Sequence, residues 1–400
     1  MSAIRDYDHS GTSVRLLRHH ARIAFVAVAV VACSGDDHAQ LPAGERDAGV
    51  RVRDAGATRH DAGAHPRDAG ALVRDAGADR DAGVTRDAGA TEPPTVPPPD
   101  LVRYLIGAPA DREVAPQGPA LVLMGGSVEV DAAFEWWRSF VAGGDVVVLR
   151  TSGSDGYNDY LYTDIGGVDS VETLLVDSRA HASSAYVAWR VRTAEGVFLA
   201  GGDQATYLEN WKDTPVQDAL GIAWARGAVL GGTSAGLAVL GDQVFAAYNG
   251  GVSSQEALTD PYVSRVTLEP DFLDLDPLRG VITDSHFGAR DRMGRLTVFL
   301  ARWYADGGTG PFLGLGVDER TALVVDPAGL GTVMGRGAVY AVFAVGPAAR
   351  CAPGQTLSYP GLSYATLRAG DTLMLPAGAP SVPSVPLAVE DGVLSPSDPY

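Results

Sequence analysis

Residues 101–378 are predicted to form an α/β domain with a parallel β-sheet in three layers. One observation behind this prediction is the alternation of short apolar runs with helical stretches, which favours parallel pairing because each strand is joined to the next by a crossover. Another is that glycine-containing loops follow several of these runs directly. The roughly 300 residues after residue 100 are also enough to bury a single core of ordinary size.

Each element of this domain is predicted from a local pattern. Strands of the parallel sheet are predicted at Ala120–Met124, Asp145–Leu149, Val171–Val176, Val197–Ala200 and Ala228–Leu230. Helices are predicted at Ala132–Val141, Ala182–Arg192, Tyr207–Leu220 and Asp291–Trp303. Short β-like runs make the C-terminal region β-rich, at Phe312–Val317, Thr321–Val325, Ala338–Val345 and Thr372–Leu375. Residues 379–400 are predicted to be a C-terminal tail.

The N-terminus has the pattern of an export signal that ends at a lipidation site. Three arginines precede ten apolar residues, Ile23–Ala32, and Cys33 follows directly. Ten residues are too few to span a hydrocarbon core of about 30 Å, and small residues leading up to a cysteine are what a lipoprotein signal peptidase reads. Residues 1–33 are therefore predicted to be a lipoprotein signal peptide that leaves Cys33 lipidated, with a plain secretory signal as the alternative.

Residues 34–100 are predicted to be a disordered linker. Asp-Ala-Gly occurs seven times between residues 47 and 89, at a spacing of seven and then six residues. A heptad spacing would suggest a coiled coil, but one glycine per repeat and almost no large apolar residue leave nothing to bury. The proline-rich stretch Thr91–Asp100 then favours polyproline II and marks the domain boundary.

Charge and cysteine content exclude several classes of protein. Residues 101–400 carry 19 basic and 34 acidic residues, a net charge of −15, so no nucleic-acid surface is indicated. Cys351 is the only cysteine besides Cys33, so a lipidated chain cannot form an intramolecular disulfide. Neither a metal nor an organic cofactor is predicted.

A serine flanked by glycines follows the fifth predicted strand. Ser234 lies between Gly232 and Gly236, where a buried strand runs into a small-residue helix. This is the pattern of a nucleophile elbow, because the glycines permit a sharp turn and a close backbone approach. Two backbone amides are predicted to form the oxyanion hole beside this serine, those of Gly202 and Ala235.

Two histidines lie in the predicted domain, and one of them is the predicted base. His286 ends a short apolar strand, at a position where loops of α/β sheets carry function. His181 lies in a polar stretch that is typical of a solvated residue at a helix start. Lys212, the only lysine, could form a Ser-Lys pair, but its neighbours are those of a charged helix face.

Four motifs occur in a fixed order along this domain. They are Gly-Gly-Asp-Gln at 201–204, Gly-Gly-Thr-Ser-Ala-Gly at 231–236, Asp-Ser-His-Phe at 284–287 running into Arg-Asp-Arg-Met-Gly-Arg-Leu at 290–296, and Gly-Val-Asp-Glu-Arg-Thr-Ala at 316–322. Together they resemble the successive motifs of the cyanophycinases, which are serine peptidases of family S51 related to bacterial aspartyl dipeptidases. The resemblance covers residues 102–376 except the loop Asn249–Leu275, and this loop and Thr151–Gly167 are expected to border the site.

The resemblance implies a fold similar to class I glutamine amidotransferases, with a flavodoxin-like sheet. It implies Ser234 as the nucleophile, His286 as the base and Glu319 as the carboxylate that orients the histidine. The substrate contacts that it implies are Gln204, Asp284, Arg292 and Arg295. From the chemistry alone, either Glu319 or Asp284 could fix the tautomer of the histidine and stabilise its imidazolium.

The two arginines connect this site to a substrate class. Arg292 and Arg295 lie three residues apart on one face of a predicted helix, where they could form a fork for a carboxylate. A β-aspartyl linkage leaves an α-carboxylate free beside the scissile amide, so such a fork would suit it.

The sequence therefore predicts a serine exopeptidase for β-aspartyl amide bonds, exported and lipid-anchored to a bacterial membrane in the periplasm or at the cell surface. Its predicted partners are a peptide or poly-aspartate-type substrate such as cyanophycin and the membrane reached through Cys33, and a homodimer is left open. One alternative is a catalytically idle descendant that binds peptides at the cell surface. Another is a small-substrate esterase or amidase, although α/β-hydrolases place the acid before a histidine close to the C-terminus, and here the order is Ser, His, Glu.

Overall fold

The computed structural model describes residue 94, residues 96–376, residue 378 and residues 380–400. The predicted signal peptide, Cys33 and most of the predicted linker lie outside the described residues. Among the residues that are described, no helix is both long enough and apolar enough to cross a membrane.

Strands and helices alternate in the first half of the described chain, and strands dominate the second half. The strands are β1 (Arg103–Gly107), β2 (Ala120–Met124), β3 (Asp145–Arg150), β4 (Ser170–Leu175), β5 (Gly196–Leu199), β6 (Val229–Thr233), β7 (Gln243–Phe245), β8 (Leu268–Pro270), β9 (Val281–Asp284), β10 (Phe312–Val317), β11 (Thr321–Val325), β12 (Leu330–Gly335), β13 (Val339–Ala344), β14 (Tyr359–Leu367), β15 (Thr372–Met374), β16 (Val385–Glu390) and β17 (Val393–Ser395). The α-helices are α1 (Asp131–Val141), α2 (Arg179–Ala182), α3 (Ala185–Thr193), α4 (Gln204–Trp211), α5 (Pro215–Ala225), α6 (Ala235–Ala238), α7 (Ser254–Thr259) and α8 (Met293–Ala305).

Five parallel strands form the centre of the larger sheet, in the spatial order β4-β3-β5-β6-β2. Val and Leu make up just over half of their residues, and nearly all residues are buried. A strand that is covered on both faces needs such a continuous apolar sequence. The predicted α/β class and the parallel pairing of these five strands are therefore confirmed.

Helices cover both faces of this sheet, which gives three layers. Alternate residues of β2 point to opposite faces, because side chains alternate along a strand. Leu121 and Leu123 belong to one buried cluster together with residues of α3 and α5. Val122 and Met124 belong to another, which contains Phe134 of α1. The predicted three-layer arrangement is confirmed.

Antiparallel strands extend the sheet at both ends. β1 pairs with β4 at one end, and β11 pairs with β2 at the other, followed by β12 and β15. The nine-stranded sheet is therefore mixed, with a parallel centre.

A second, eight-stranded sheet has the order β17-β16-β14-β13-β10-β9-β7-β8, in which β7, β9 and β10 run parallel. The β-like runs predicted near the C-terminus divide between the two sheets. The chain leaves the second sheet at the end of β10, and a turn with Arg320 at φ +56° leads into β11 of the first.

The segment that was predicted as a separate C-terminal tail packs with the domain. β16 and β17 add two strands to the second sheet. Leu387 and Val389 are buried in the core of that sheet, which explains why the segment is ordered against it. Residues 380–400 therefore pack against the same core as the strands before them.

The carboxyl ends of two strand pairs meet where the two sheets adjoin. β6 ends beside β2 in the first sheet, and β9 ends beside β10 in the second. Two backbone hydrogen bonds reach the end of β2 and the loop that follows it, from the Ser234 amide to Met124 O at 3.2 Å and from the His286 amide to Gly125 O at 2.8 Å. Residues that follow these four strands are therefore held next to one another.

Candidate active site

The turn after β6 forms the predicted nucleophile elbow. Ser234 has φ +54° and ψ −115°, a conformation that is costly for a residue with a side chain and is typical of functional sites. A Cβ on Gly232 would lie 2.4 Å from Gly236 O, and a Cβ on Gly236 would lie 2.0 Å from Leu199 O. Both glycines are therefore required by close backbone contacts.

A continuous chain of hydrogen bonds joins three of the predicted residues. Ser234 Oγ lies 2.8 Å from His286 Nε2, and His286 Nδ1 lies 2.8 Å from Glu319 Oε1. The imidazole contacts the loop after β2 so closely that a Cβ on Gly126 would lie 2.5 Å from its Cε1 atom. Gly126 is thus a residue of the site that the sequence analysis did not identify, although its Gly-Gly pair after a strand was visible.

The turn between β10 and β11 holds Glu319 in place. The neighbouring carboxylate of Asp318 accepts hydrogen bonds from the amides of Gly288 at 2.8 Å and Ala338 at 3.0 Å. The Glu319 side chain itself is 36% exposed. Its hydrogen bond with His286 lowers the pKa of Glu319, so this carboxylate is ionised at neutral pH.

His286 lies in an environment that disfavours its charged form. Burial lowers the pKa of His286, and the charges of Arg290 and Arg292 lower it further, whereas the hydrogen bond with Glu319 has the opposite effect. The imidazole is therefore neutral at pH 7 and able to accept a proton from Ser234.

Asp284 is paired with arginines and not with the histidine. Arg295 donates from Nε to one carboxylate oxygen at 2.7 Å and from Nη2 to the other at 2.6 Å, and Arg292 donates at 3.1 Å. Burial would raise the pKa of Asp284, but the charges of Arg295 and Arg292 outweigh it and the pKa is lowered. Of the two carboxylates that the chemistry left open, Glu319 is the one beside His286.

Arg292 and Arg295 differ in how many of their N–H donors are available to bind a ligand. Arg295 is buried, its third nitrogen contacts Val252 O at 3.3 Å, and its guanidinium lies over Phe245. The fork expected from the sequence is therefore occupied in part by Asp284. Arg292 uses only Nη1 in hydrogen bonds to described residues, with Asp284 and Ser285. Its remaining donors are available to the cavity described next.

A main cavity of about 450 Å³ opens beside Ser234. Gly202 and Ala235, the predicted oxyanion-hole residues, both line it, and so does Gln204. Arg290 and Tyr248 also line it and were missed by the sequence analysis, although Arg290 begins the Arg-Asp-Arg-Met-Gly-Arg run. The loop 249–275 contributes Gly250 and Gly251 to the wall, and it thus borders the site as expected.

Other candidates from the sequence lie apart from this cavity. Lys212 binds Glu269 at 2.5 Å and Pro270 O at 2.7 Å. His181 is at the start of a helix, as expected, but it is buried and bonded to Asp177 at 2.7 Å, so it is not solvated. Among the described residues, no group of three or more His, Cys, Asp or Glu is arranged to hold a metal ion.

Comparison with known proteins finds similarity to one peptidase family. The model of peptidase family S51 matches residues 167–263. A cyanophycinase of Synechococcus elongatus is 36% identical over 184 residues, which are 46% of this chain and 52% of the relative. A cyanophycinase of Geminocystis herdmanii is 30% identical over 216 residues, which are 54% of this chain and 69% of the relative. This chain spans about half the length of the first of these relatives.

Solved structures of two peptidases also align with the chain. A peptidase from an acI-B1 Actinobacterium has 18% identity and a TM-score of 0.44, over 65% of this chain and 98% of that chain. A putative peptidase E protein from Listeria monocytogenes has 14% identity and a TM-score of 0.35, over 55% of this chain and 98% of that chain.

Proposed function

This chain belongs to peptidase family S51, and we propose that it is a serine-type exopeptidase that hydrolyses β-aspartyl amide bonds through an acyl-enzyme. The observation that carries this proposal is the hydrogen-bond chain from Ser234 through His286 to Glu319. Each link is 2.8 Å long, which is the contact that a nucleophile, its base and an orienting carboxylate require.

The proposed reaction begins with attack by Ser234. His286 Nε2 takes the proton of the hydroxyl while Oγ forms a bond to the scissile carbonyl carbon. Glu319 accepts a hydrogen bond from the Nδ1–H group of His286. Its negative charge stabilises the imidazolium. The amides of Gly202 and Ala235 are proposed to receive the oxyanion.

The tetrahedral intermediate then collapses to an acyl-enzyme. The C–N bond breaks, and His286 gives its proton to the leaving amine. In the second half of the cycle a water molecule loses a proton to His286 and attacks the ester carbon. The Oγ–C bond breaks, the carboxylic product leaves, and Ser234 regains its proton.

Two arginines in the wall of the main cavity support the β-aspartyl specificity. Arg290 and Arg292 line this cavity, although residues 101–400 as a whole carry a net charge of −15. A β-aspartyl linkage places a free α-carboxylate next to the scissile amide. Arg292 retains donors that could hold such a carboxylate by charge-assisted hydrogen bonds.

The test of the nucleophile compares two serine substitutions in the same chain. Ser234→Ala should abolish labelling by a fluorophosphonate probe and reduce hydrolysis of β-aspartyl dipeptides to background, because the acyl-enzyme cannot form. Ser397→Ala, at an exposed bend, should keep both activities. Wild-type turnover in the Ser234→Ala variant would exclude the serine mechanism, and labelling without hydrolysis of β-aspartyl dipeptides would point to another ester or amide substrate.

We also propose that the chain is exported and anchored through a lipid on Cys33. The support is the sequence pattern alone, with ten apolar residues before the cysteine and a glycine-rich, charged segment after it. Such a segment would let the peptidase domain work at a distance from the membrane surface.

A further inference from the structure

The turn between His286 and helix α8 has no cap from its own residues. Arg292 is the N-cap residue of α8, and its side chain makes no capping hydrogen bond. The first turn of this helix contains no acidic residue either. Asp291, just before the N-cap, has a left-handed conformation with φ +48°. The first amides of a helix have no partner within the helix, so acceptors from elsewhere are needed here.

Two hydroxyl groups from remote segments supply such acceptors. Tyr400, in the segment after β17, accepts a hydrogen bond from the Met293 amide at 2.8 Å and donates one to Asp291 Oδ1 at 2.9 Å. Ser254, the first residue of α7, accepts from the Arg295 amide at 3.1 Å and donates to the carbonyl of Asp291. Each hydroxyl therefore connects Asp291 to the first turn of α8.

The aromatic ring of Tyr400 fixes the position of its hydroxyl. Phe287 and Tyr340 lie edge-on to this ring, with centroids at 6.1 Å and 5.7 Å. Partial burial raises the pKa of Tyr400, the hydrogen bond from the Met293 amide lowers it, and the neighbouring Asp291 carboxylate raises it again. The net shift is upward, so the phenol keeps its proton at neutral pH and can donate to Asp291.

The two arginines of the main cavity depend on the backbone of this turn. The side chain of Arg290 lines the cavity and has no hydrogen bond or ion pair to a described residue. Arg292 is held through Nη1 alone. The positions of both guanidinium groups therefore follow the backbone of residues 288–292, which the contact between Tyr400 and Asp291 holds in place.

His286, in contrast, is held independently of Tyr400. Its amide donates to Gly125 O at 2.8 Å. Its ring lies between Ser234 and Glu319, at 2.8 Å from each. None of these contacts involves the segment after β17. A change at Tyr400 should therefore displace the arginines without displacing the base.

We propose that Tyr400 is a positioning residue of the main cavity, whose hydroxyl holds the turn that presents Arg290 and Arg292 to a carboxylate of the substrate. This inference rests on the proposed function, because it takes the main cavity as the place where the β-aspartyl carboxylate binds. Tyr400 does not itself line the cavity, so it acts through the arginines. Its effect belongs to substrate binding, and a loss of binding that is equal in the ground state and the transition state changes KM and leaves kcat unchanged.

The test removes the hydroxyl of Tyr400 and keeps its ring. Tyr400→Phe should raise KM for a β-aspartyl dipeptide by about 3- to 10-fold, because less firmly placed guanidinium groups bind the α-carboxylate less well. The value of kcat should stay within about twofold of wild type. The rate at which an uncharged alkyl fluorophosphonate labels Ser234 should also be unchanged, because this probe has no carboxylate and reacts through the elbow and His286 alone.

Tyr304→Phe is the matched control, because Tyr304 lies near the other end of the same helix. Its hydroxyl donates to Ala344 O at 2.9 Å, so this substitution also removes a hydrogen bond that holds α8. It should lower the melting temperature and leave KM unchanged. A rise in KM as large as that of Tyr400→Phe would mean that any weakening of α8 disturbs the cavity, and the specific role of Tyr400 would be excluded.

Asp291→Gly breaks the same contact from its other side. Glycine adopts the φ of +48° without strain, so this variant tests the contact even if Tyr400→Phe does not fold. It should raise KM by a similar factor, and the double variant should raise KM little further, because both changes remove one interaction. The proposal is overturned by an unchanged KM in either single variant, by effects that multiply in the double variant, or by a loss of kcat and labelling as large as the rise in KM.

Failure of this inference can be told apart from failure of the proposed function. If the wild-type protein takes the label on Ser234 and hydrolyses β-aspartyl dipeptides, but Tyr400→Phe has the same KM, the role of Tyr400 is lost and the peptidase proposal holds. If the wild-type protein shows neither labelling nor hydrolysis of any β-aspartyl dipeptide, the proposed function is lost, and the role of Tyr400 is lost with it.

Discussion

Asp284 ends β9 and Glu319 follows the adjacent parallel strand β10, yet their carboxylates have different partners. Glu319 accepts a hydrogen bond from His286 and its side chain is 36% exposed. Asp284 is buried with a 4% exposed side chain and is neutralised by Arg295 and Arg292. The Glu319 carboxylate can therefore contribute to catalysis without being needed for the stability of the fold. The Asp284 carboxylate cannot lose its charge without leaving two guanidinium groups unpaired.

Neutral replacements of these carboxylates should therefore have separable effects. Glu319→Gln should lower kcat by roughly 10²- to 10⁴-fold on every substrate, since the imidazolium loses its counter-charge. It should change the free energy of unfolding by less than about 1 kcal/mol, because the side chain is partly exposed. Asp284→Asn should cost about 3–5 kcal/mol of stability.

Steady-state kinetics and urea unfolding of the two variants measure these effects side by side. An Asp284→Asn protein as stable as the wild type would contradict the assignment of Asp284 to the buried ion pair. A Glu319→Gln protein with full kcat would show that His286 needs no carboxylate.

Local sequence identified the three residues of the hydrogen-bond chain better than the residues that pack around them. Ser234, His286 and Glu319 each carry a local signal, because each lies at the end of an apolar strand and within a short motif. Gly126 could not be assigned to the site in this way. Its place there depends on a close contact with His286, which follows a strand of the other sheet.

At the scale of elements, the elbow is fixed by backbone packing between β5, β6 and α6. Gly236 is the second residue of helix α6, which directly follows the proposed nucleophile, and its Cα lies against the end of β5. Any side chain there must push the helix away from the sheet. The strained φ of Ser234 persists because these contacts prevent the turn from adopting another backbone conformation.

A single methyl group should test this packing. Gly236→Ala would place its Cβ 2.0 Å from Leu199 O, so we expect a loss of about 1–3 kcal/mol of stability or more, together with loss of probe labelling. The matched change is Gly221→Ala in the exposed part of α5, where a Cβ meets nothing within 4 Å. It should raise stability by about 0.5–1 kcal/mol, because alanine favours the helix. Thermal unfolding of both variants decides the point, and a fully active Gly236→Ala enzyme would falsify the account of the elbow.

At the scale of the whole molecule, the parallel centre of the fold was predictable and the second sheet was not. Buried parallel strands can be recognised in a sequence as apolar runs between helices, as in β2 and β6. The later strands are equally apolar, so sequence alone does not say that β10 and β11 enter different sheets. That division follows from the turn at Asp318–Arg320, whose contacts with Gly288 and Ala338 are made only in the folded chain.

The proposed anchor predicts that location and catalysis can be separated in the full chain. Cys33→Ser should abolish incorporation of a fatty-acid label and move the protein out of the membrane fraction, since the lipid supplies the attachment. It should leave kcat/KM on β-aspartyl dipeptides within about twofold of wild type, because the predicted flexible linker separates the cysteine from the domain. Cys351→Ser, at a half-buried position between β13 and β14, is the matched change and should keep the label. Labelling that survives Cys33→Ser, or a wild-type protein found in the medium with an unmodified Cys33, would mean that the apolar run before this cysteine is not a lipoprotein signal.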